Sequence, residues 1–233
     1  MKYFSRFPIT VVTTNGKSTI ITDFLRRVAI SNKFRENTVA MEDYFVLDGE
    51  TPEMVSNKLY ATPANHWLIL MVNDITNPRE EWPIPDSKVT DLVYQKYDFV
   101  LTVPSGAAYS VNNIITSDGD GTFIVTKKNG NTVYLRSQVG KTILTTSSIL
   151  TNTSTEVGNL TITAVTDPEE DVHHYYDDGI GHIVDAGYSA STNPVTNYEY
   201  EVDVNDSKRT IKVVSPVFVP TIISEFDNLI SGT

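Results

Sequence analysis

The stretch that decides the fold is Asp48–Trp67, DGETPEMVSNKLYATPANHW. Thr51-Pro52 and Thr62-Pro63 each place a hydroxyl at an N-cap directly before a proline at the first helical position, where its missing N–H costs nothing. The repeated device predicts two short consecutive helices. Asp48-Gly49-Glu50 before them reads as a turn in which glycine takes the awkward backbone angle, and YFVL, 44–47, as a short strand leading into it.

The first helix offers Met54, Val55 and Leu59 to one side. The second carries WLILMV, Trp67–Val72, which is apolar around its whole circumference and so must be covered on more than one face. A unit of roughly 50 residues is too small to do this alone, so the rest of the chain or a partner covers the remainder. Asn73 is a plausible helix end. NPREEWPIP, 77–85, is too proline-rich for a central strand, though its end fits an edge strand, and VTDLVYQKY, 89–97, closes the unit as a helix.

Outward from this stretch the character changes twice. Upstream, TDFLRRVAISNKF, 22–34, fits a short helix or an extended arm led by Thr22 or Asp23. Downstream, over 98–166, β-branched runs (TFIVT, TVYLR, KTILTT, LTITAV) alternate with turns, and Asp118-Gly119-Asp120-Gly121 and Asn129-Gly130-Asn131 are hairpin signals; this reads as a small antiparallel β insert. NYEYEVDV, 197–204, puts Tyr198, Tyr200, Val202 and Val204 on one face of a strand and Glu199, Glu201 and Asp203 on the other. NDSK returns the chain into RTIKVV, 209–214, whose Arg209 and Lys212 meet those acids across a hairpin, each exposed pair worth roughly a few tenths of a kcal/mol. In PTIISEFDNLI, 220–230, Ile222, Ile223, Phe226, Leu229 and Ile230 fall at helical spacing, an amphipathic docking helix.

The expected organisation is an N-terminal docking arm over 1–40, a βααβ unit over 41–97, a β-rich insert over 98–170, and a C-terminal hairpin and docking helix over 171–233. A chain of 233 residues suffices for one large domain or two to three small ones. Its 18 Lys and Arg against 29 Asp and Glu give a net charge of −11 with no basic run, which argues against nucleic acid as a partner. The absence of cysteine rules out disulfides, thiolate zinc sites and cysteine nucleophiles. The opening residues lack the apolar core of a signal peptide and WLILMV is far short of a membrane span, so the sequence reads as soluble, made in a cytoplasm and without a membrane partner.

Motifs that suggest chemistry each fall short of it. TTNGKST, 13–19, ends like a phosphate-binding loop, but the required first glycine is Val11, and a polar turn explains it better. HHYYDDGIGH gathers His173, His174, Asp177, Asp178 and His182, ligand types suited to zinc, yet adjacent histidines on a strand point to opposite faces. SDGDGTF opens like a calcium loop but puts Phe123 where glycine is needed and Asn129 where glutamate is needed. Glu80/Glu81 and Glu169/Glu170 are carboxylate neighbours of the kind found on charged surfaces, and no nucleophile elbow is present. No catalytic, cofactor or metal residue is therefore assigned. Trp67 and Trp82 suit sugar stacking or an interface, with core packing the plainer reading of Trp67. Tyr60, His66, Trp67, Trp82, Phe226 and Leu229 are the candidate partner-binding residues.

The order strand, DGETP, helix, KLY, TP, helix ending at Asn73, then WPIP resembles the LysM module, a βααβ unit often used to bind peptidoglycan or chitin. With the upstream TDFLRRV and the downstream NYEYEVDVNDSKRTIKVVSP, the stretch YFVLDGETPEMVSNKLYATPANHWLILMVNDITNPREEWPI is similar to the baseplate wedge subunit of T-even-type contractile-tailed bacteriophages. That resemblance implies an α+β fold with a LysM-like βααβ unit, an N-terminal arm, a small antiparallel β insert and a C-terminal β-hairpin plus helix. It also implies a structural, non-enzymatic, cofactor-free virion protein, assembled in the host cytoplasm. Such a protein joins adjacent wedges into a sixfold baseplate and contacts other wedge subunits and sheath-proximal or hub-proximal tail proteins, in multiple copies per baseplate. The LysM-like unit would then be a protein clamp. The alternative is a peptidoglycan-binding LysM module of a tail or cell-wall protein, although EEWPIPDS, 80–87, departs from the second strand of glycan-binding modules.

Overall fold

The computed structural model describes residues 6–23, 40–119 and 121–231; TDFLRRVAISNKF lies, beyond Asp23, outside them. The elements in chain order are β1 (Ile9–Thr14), β2 (Lys17–Thr22), β3 (Met41–Phe45), α1 (Pro52–Tyr60), α2 (His66–Val72), α3 (Pro78–Glu81), α4 (Val89–Lys96), β4 (Phe99–Thr102), β5 (Ile114–Ser117), β6 (Thr122–Asn129), β7 (Thr132–Ser137), β8 (Leu150–Asn152), β9 (Val157–Leu160), β10 (Ala164–Thr166), β11 (Val172–Asp177), β12 (His182–Val184), β13 (Thr192–Thr196), α5 (Asn197–Ser207), β14 (Thr210–Val214) and α6 (Val219–Ser231). They fall into two compact units, one running to Pro83 and resuming at Asp206, the other spanning Ile84–Asn205.

In the discontinuous unit, Thr51 caps α1, its hydroxyl accepting from the Met54 amide at 3.4 Å, and Thr62 caps a 3-10 turn over Pro63–Asn65 that feeds α2. β3 pairs antiparallel with β14, from Phe45 opposite Thr210 to Met41 opposite Val214. The apolar circumference of α2 is explained by two clusters that meet on it. Trp67, Leu68 and Val72 pack with Phe7, Met41, Val214, Val219, Ile222, Phe226 and Ile230, while Ile69 packs with Val46, Val55, Trp82, Ile211 and Val213. Most of its cover thus comes from residues 211–230 of the same chain.

Among the described residues β14 has a strand neighbour on one side only, and on its other edge the backbone groups of Lys212 and Val214 are taken by side chains. The Asn73 amide donates to the Lys212 carbonyl (2.7 Å) and accepts from the Lys212 N–H (2.8 Å). The Tyr60 hydroxyl donates to the Val214 carbonyl (3.0 Å) and accepts from its N–H (3.1 Å), and burial pushes the Tyr60 pKa up to about 12. Tyr60→Phe should lower stability by about 1–3 kcal/mol in urea unfolding, because it strands two part-buried backbone groups; an unchanged midpoint would show water replacing the hydroxyl.

The second unit is dominated by a seven-stranded antiparallel sheet in the order β10-β4-β7-β6-β5-β8-β9. The left-handed Gly130 (φ 59°) makes the tight β6–β7 turn. The inward positions Phe99, Leu101, Ile115, Phe123, Val125, Val133, Leu135 and Leu150 are fully buried, and α4 contributes Tyr94, whose hydroxyl donates to Asp167 at 2.8 Å. A separate sheet runs β12-β11-β13.

The architecture corrects the expected α+β arrangement. The chain is a mixed α/β protein in which the β-rich part is the dominant sheet and not a small insert. No small contiguous LysM-like βααβ unit forms. Residues 78–81 are helical, no strand follows at Trp82–Pro85, and the strand that closes on β3 comes from 210–214. The C-terminal hairpin is also absent, because NYEYEVDVNDS is α5. Its N-terminus is a reciprocal capping box: the Glu199 amide donates to the Thr196 hydroxyl (3.2 Å) and the Thr196 amide to the Glu199 carboxylate (2.8 Å). The stripe it buries at i, i+4, i+8 is polar: Asn197, Glu201 and Asn205. The Asn197 amide donates to the Pro168 carbonyl (3.0 Å), Glu201 accepts from Lys96 (2.5 Å) and Tyr97 (2.6 Å), and Asn205 pairs both ways with the Ile84 backbone (2.8 and 3.0 Å). Hydrogen bonds to a buried polar face replace the apolar contacts that alternation had led one to expect.

Candidate functional site

All six candidate partner-binding residues lie in the discontinuous unit, and the structure separates them by exposure. Trp67 is 5% exposed and Phe226 2%, with ring centroids 4.7 Å apart, and the Arg6 guanidinium lies 5.6 Å over Trp67 while donating to Asp227 at 2.7 Å. Trp82 is buried, and its indole N–H donates to the Glu50 carbonyl at 2.7 Å. Leu229 is exposed, His66 keeps its Nδ1 2.9 Å from the Pro63 carbonyl, and Tyr60 lines an apolar groove of about 510 Å³ with Leu59, Pro216, Val219 and Ile223.

The turn held by Glu50 beneath Trp82 is an electrostatic knot. Its carboxylate accepts from the Leu47 amide (2.9 Å), the Tyr44 hydroxyl (2.9 Å) and Lys58 (3.3 Å). Burial pushes the Glu50 pKa up, but the Leu47 amide, the Tyr44 hydroxyl and Lys58 together outweigh that and leave it lowered. The lowered folded-state value means that the stabilisation is complete above the unfolded-state pKa and is lost as pH falls through the folded one. Below about pH 4 wild type should therefore lose urea resistance that Glu50→Gln does not have to lose, and parallel pH dependences for the two proteins would refute this.

The surface that stays apolar and open was missed by sequence reasoning. β1 and β2 form a two-residue hairpin through Asn15 (φ 52°) and Gly16 (φ 75°), a primed turn. Ile9, Val11 and Ile20 are 72%, 62% and 67% exposed. The available signal was Asn-Gly flanked by β-branched residues.

The candidate metal ligands fare differently. A bulge between Val172 and His174 turns His173 and His174 to the same side, Nδ1 to Nδ1 at 2.9 Å, with His173 stacked on Tyr200 at 3.8 Å. The Asp177 carboxylate is occupied by the Gly179 and Ile180 amides (2.7 and 3.3 Å) and the Ser189 hydroxyl, and Asp178 accepts from Asn193 at 2.8 Å. Among the described residues no three or more His, Cys, Asp or Glu are grouped to hold a metal ion. The paired glutamates have folding contacts too: Glu81 caps the Thr76 and Asn77 amides (2.6 and 3.2 Å), and Glu169 pairs with Lys141 at 3.2 Å. Among the described residues no helix is long and apolar enough to cross a membrane.

The carboxylates of Glu50, Glu81, Asp177 and Glu199 are engaged in holding turns and helix ends, and in the discontinuous unit the β1–β2 ribbon shows Ile9, Val11 and Ile20 to solvent. The chain belongs to the family described as base plate wedge protein 53, whose model matches residues 4–133, more than half of its length. It is a structural protein of the phage tail baseplate, and baseplate components are its partners. No curated protein gave a match.

Proposed function

We infer that this chain joins neighbouring wedges into a sixfold baseplate on a contractile tail of the T-even type, assembled in the host cytoplasm. In this reading several copies act per baseplate and contact other wedge subunits and hub-proximal or sheath-proximal proteins. The carrying observation, beside family membership, is the apolar β1–β2 ribbon, which shows Ile9, Val11 and Ile20 to solvent. Large exposed apolar groups on a folded chain are typical of interaction surfaces. The glycan-binding alternative needed a closed 41–97 module and an accessible Trp82, and the chain has neither.

The test is size-exclusion chromatography with light scattering on the chain alone and mixed with the other wedge proteins of the same phage. A defined mixed complex is the expected result; a monomer that ignores all of them would overturn the reading.

A further inference from the structure

The strand edges of the discontinuous unit are treated in two opposite ways. On β14 the outward N–H and C=O groups of Lys212 and Val214 are all met by Asn73 and Tyr60. Among the described residues the β1–β2 ribbon pairs only with itself. The Asp23 amide donates to the Pro8 carbonyl at 2.8 Å, which sets the ladder's alternation: Thr10/Ile21, Val12/Thr19 and Thr14/Lys17 are the hydrogen-bonded pairs. Ile9, Val11 and Thr13 on β1, and Ser18, Ile20 and Thr22 on β2, therefore turn their N–H and C=O groups outward, and among the described residues nothing meets them.

Folded proteins blunt such edges with charge, proline, bulges or cover. β1 has no charged residue, no proline and no break in register with β2. The face that includes Ile9, Val11 and Ile20 is the face of those same outward-bonding residues. A free two-stranded ribbon is marginal in water. The ribbon is built to be completed by something else.

We propose that β1 adds edge-on to the sheet of a different baseplate protein, with Ile9, Val11 and Ile20 closing on that partner's apolar face; this rests on the wedge reading above. Three side chains bury on the order of 200–350 Å², well short of the roughly 800 Å² per partner of a standard interface. Main-chain bonds to a strand edge supply what the face lacks. Charge selects against a second copy of this chain. Residues 9–22 hold a single charged side chain, Lys17, whereas the chain carries −11, so self-pairing brings two strongly acidic bodies together. The partner is a different protein with an uncharged edge strand, neutral or basic as a whole.

Residue-resolved amide exchange on the full chain, free and in complex with the purified wedge subunits of the same phage, tests this. Slowing of at least tenfold at Ile9, Val11 and Thr13 on complex formation is expected. Val11→Pro removes an edge N–H that takes no part in the hairpin ladder, so it should weaken assembly at least tenfold while Thr10 and Val12 keep their wild-type exchange in the free chain. Edge amides as fast in the complex as in the free chain overturn the proposal, and do so even if the proline variant fails to fold. Normal assembly of a folded Val11→Pro chain overturns it too, as does edge protection that rises with the concentration of the chain alone, the mark of a second copy. Wild type that forms a complex without edge protection leaves the wedge reading standing, whereas wild type that forms no complex removes both.

Discussion

The isolated fragment 41–97 should remain unfolded, with no cooperative transition in urea by circular dichroism. It contains β3, α1 and α2 but not the strand that pairs with β3 or the helix that covers α2. From 210–231 the core receives Ile211, Val213, Val214, Val219, Ile222, Phe226 and Ile230, all buried. At about 1.5–3 kcal/mol for each fully buried side chain, their loss removes on the order of 10–20 kcal/mol, as much as a whole domain's usual margin of about 5–15 kcal/mol. The Lys212 and Val214 contacts of Asn73 and Tyr60 go with them. Co-expression with a separate 206–233 chain should restore folding in part; a fragment that melts cooperatively alone would show that 41–97 closes by itself.

Phe226→Ala and Leu229→Ala, neighbours on one helix, should behave oppositely in the free chain. Phe226 is 2% exposed and packs its ring at a tilt against Trp67, so its truncation leaves a cavity and should cost about 3–5 kcal/mol. Leu229 is 65% exposed, and its loss should change stability by no more than about 0.5 kcal/mol. Denaturant unfolding of both decides it. An unaffected Phe226→Ala chain that no longer assembles would return that ring to the interface.

What could be read in the sequence was local. Thr51-Pro52 and Thr62-Pro63 announce their caps within three residues, and the spacing of Ile222, Phe226 and Ile230 marks the inner face of α6. β3's partner was not legible, because nothing in MEDYF distinguishes residues 210–214 from a nearer strand. α5 misled for a different reason: its tyrosines and valines alternate, while the 3.6-residue period is carried by Asn197, Glu201 and Asn205, which a hydrophobicity pattern counts as surface. The Thr196…Glu199 capping box was in plain view and would have settled the choice. For the site, aromatic residues such as Trp67 and Trp82 look the same whether they fill a core or an interface. The open edge of β1, in contrast, follows from an Asn-Gly turn whose consequence is visible only in the sheet, where among the described residues no third strand arrives.

Pairing β3 with β14 also imposes an order on synthesis. Phe45 and its opposite residue Thr210 are 165 positions apart, so at about 5–20 residues per second the first strand leaves the ribosome roughly 8–33 s before its mate. Throughout that interval Val46, Val55, Ile69 and Trp82 lack the cover they have in the finished protein. The sheet unit between them can fold during this wait. A nascent chain that stalls before residue 210 therefore displays a sticky, unfinished base, which marks it for chaperones or proteases instead of for incorporation into a tail.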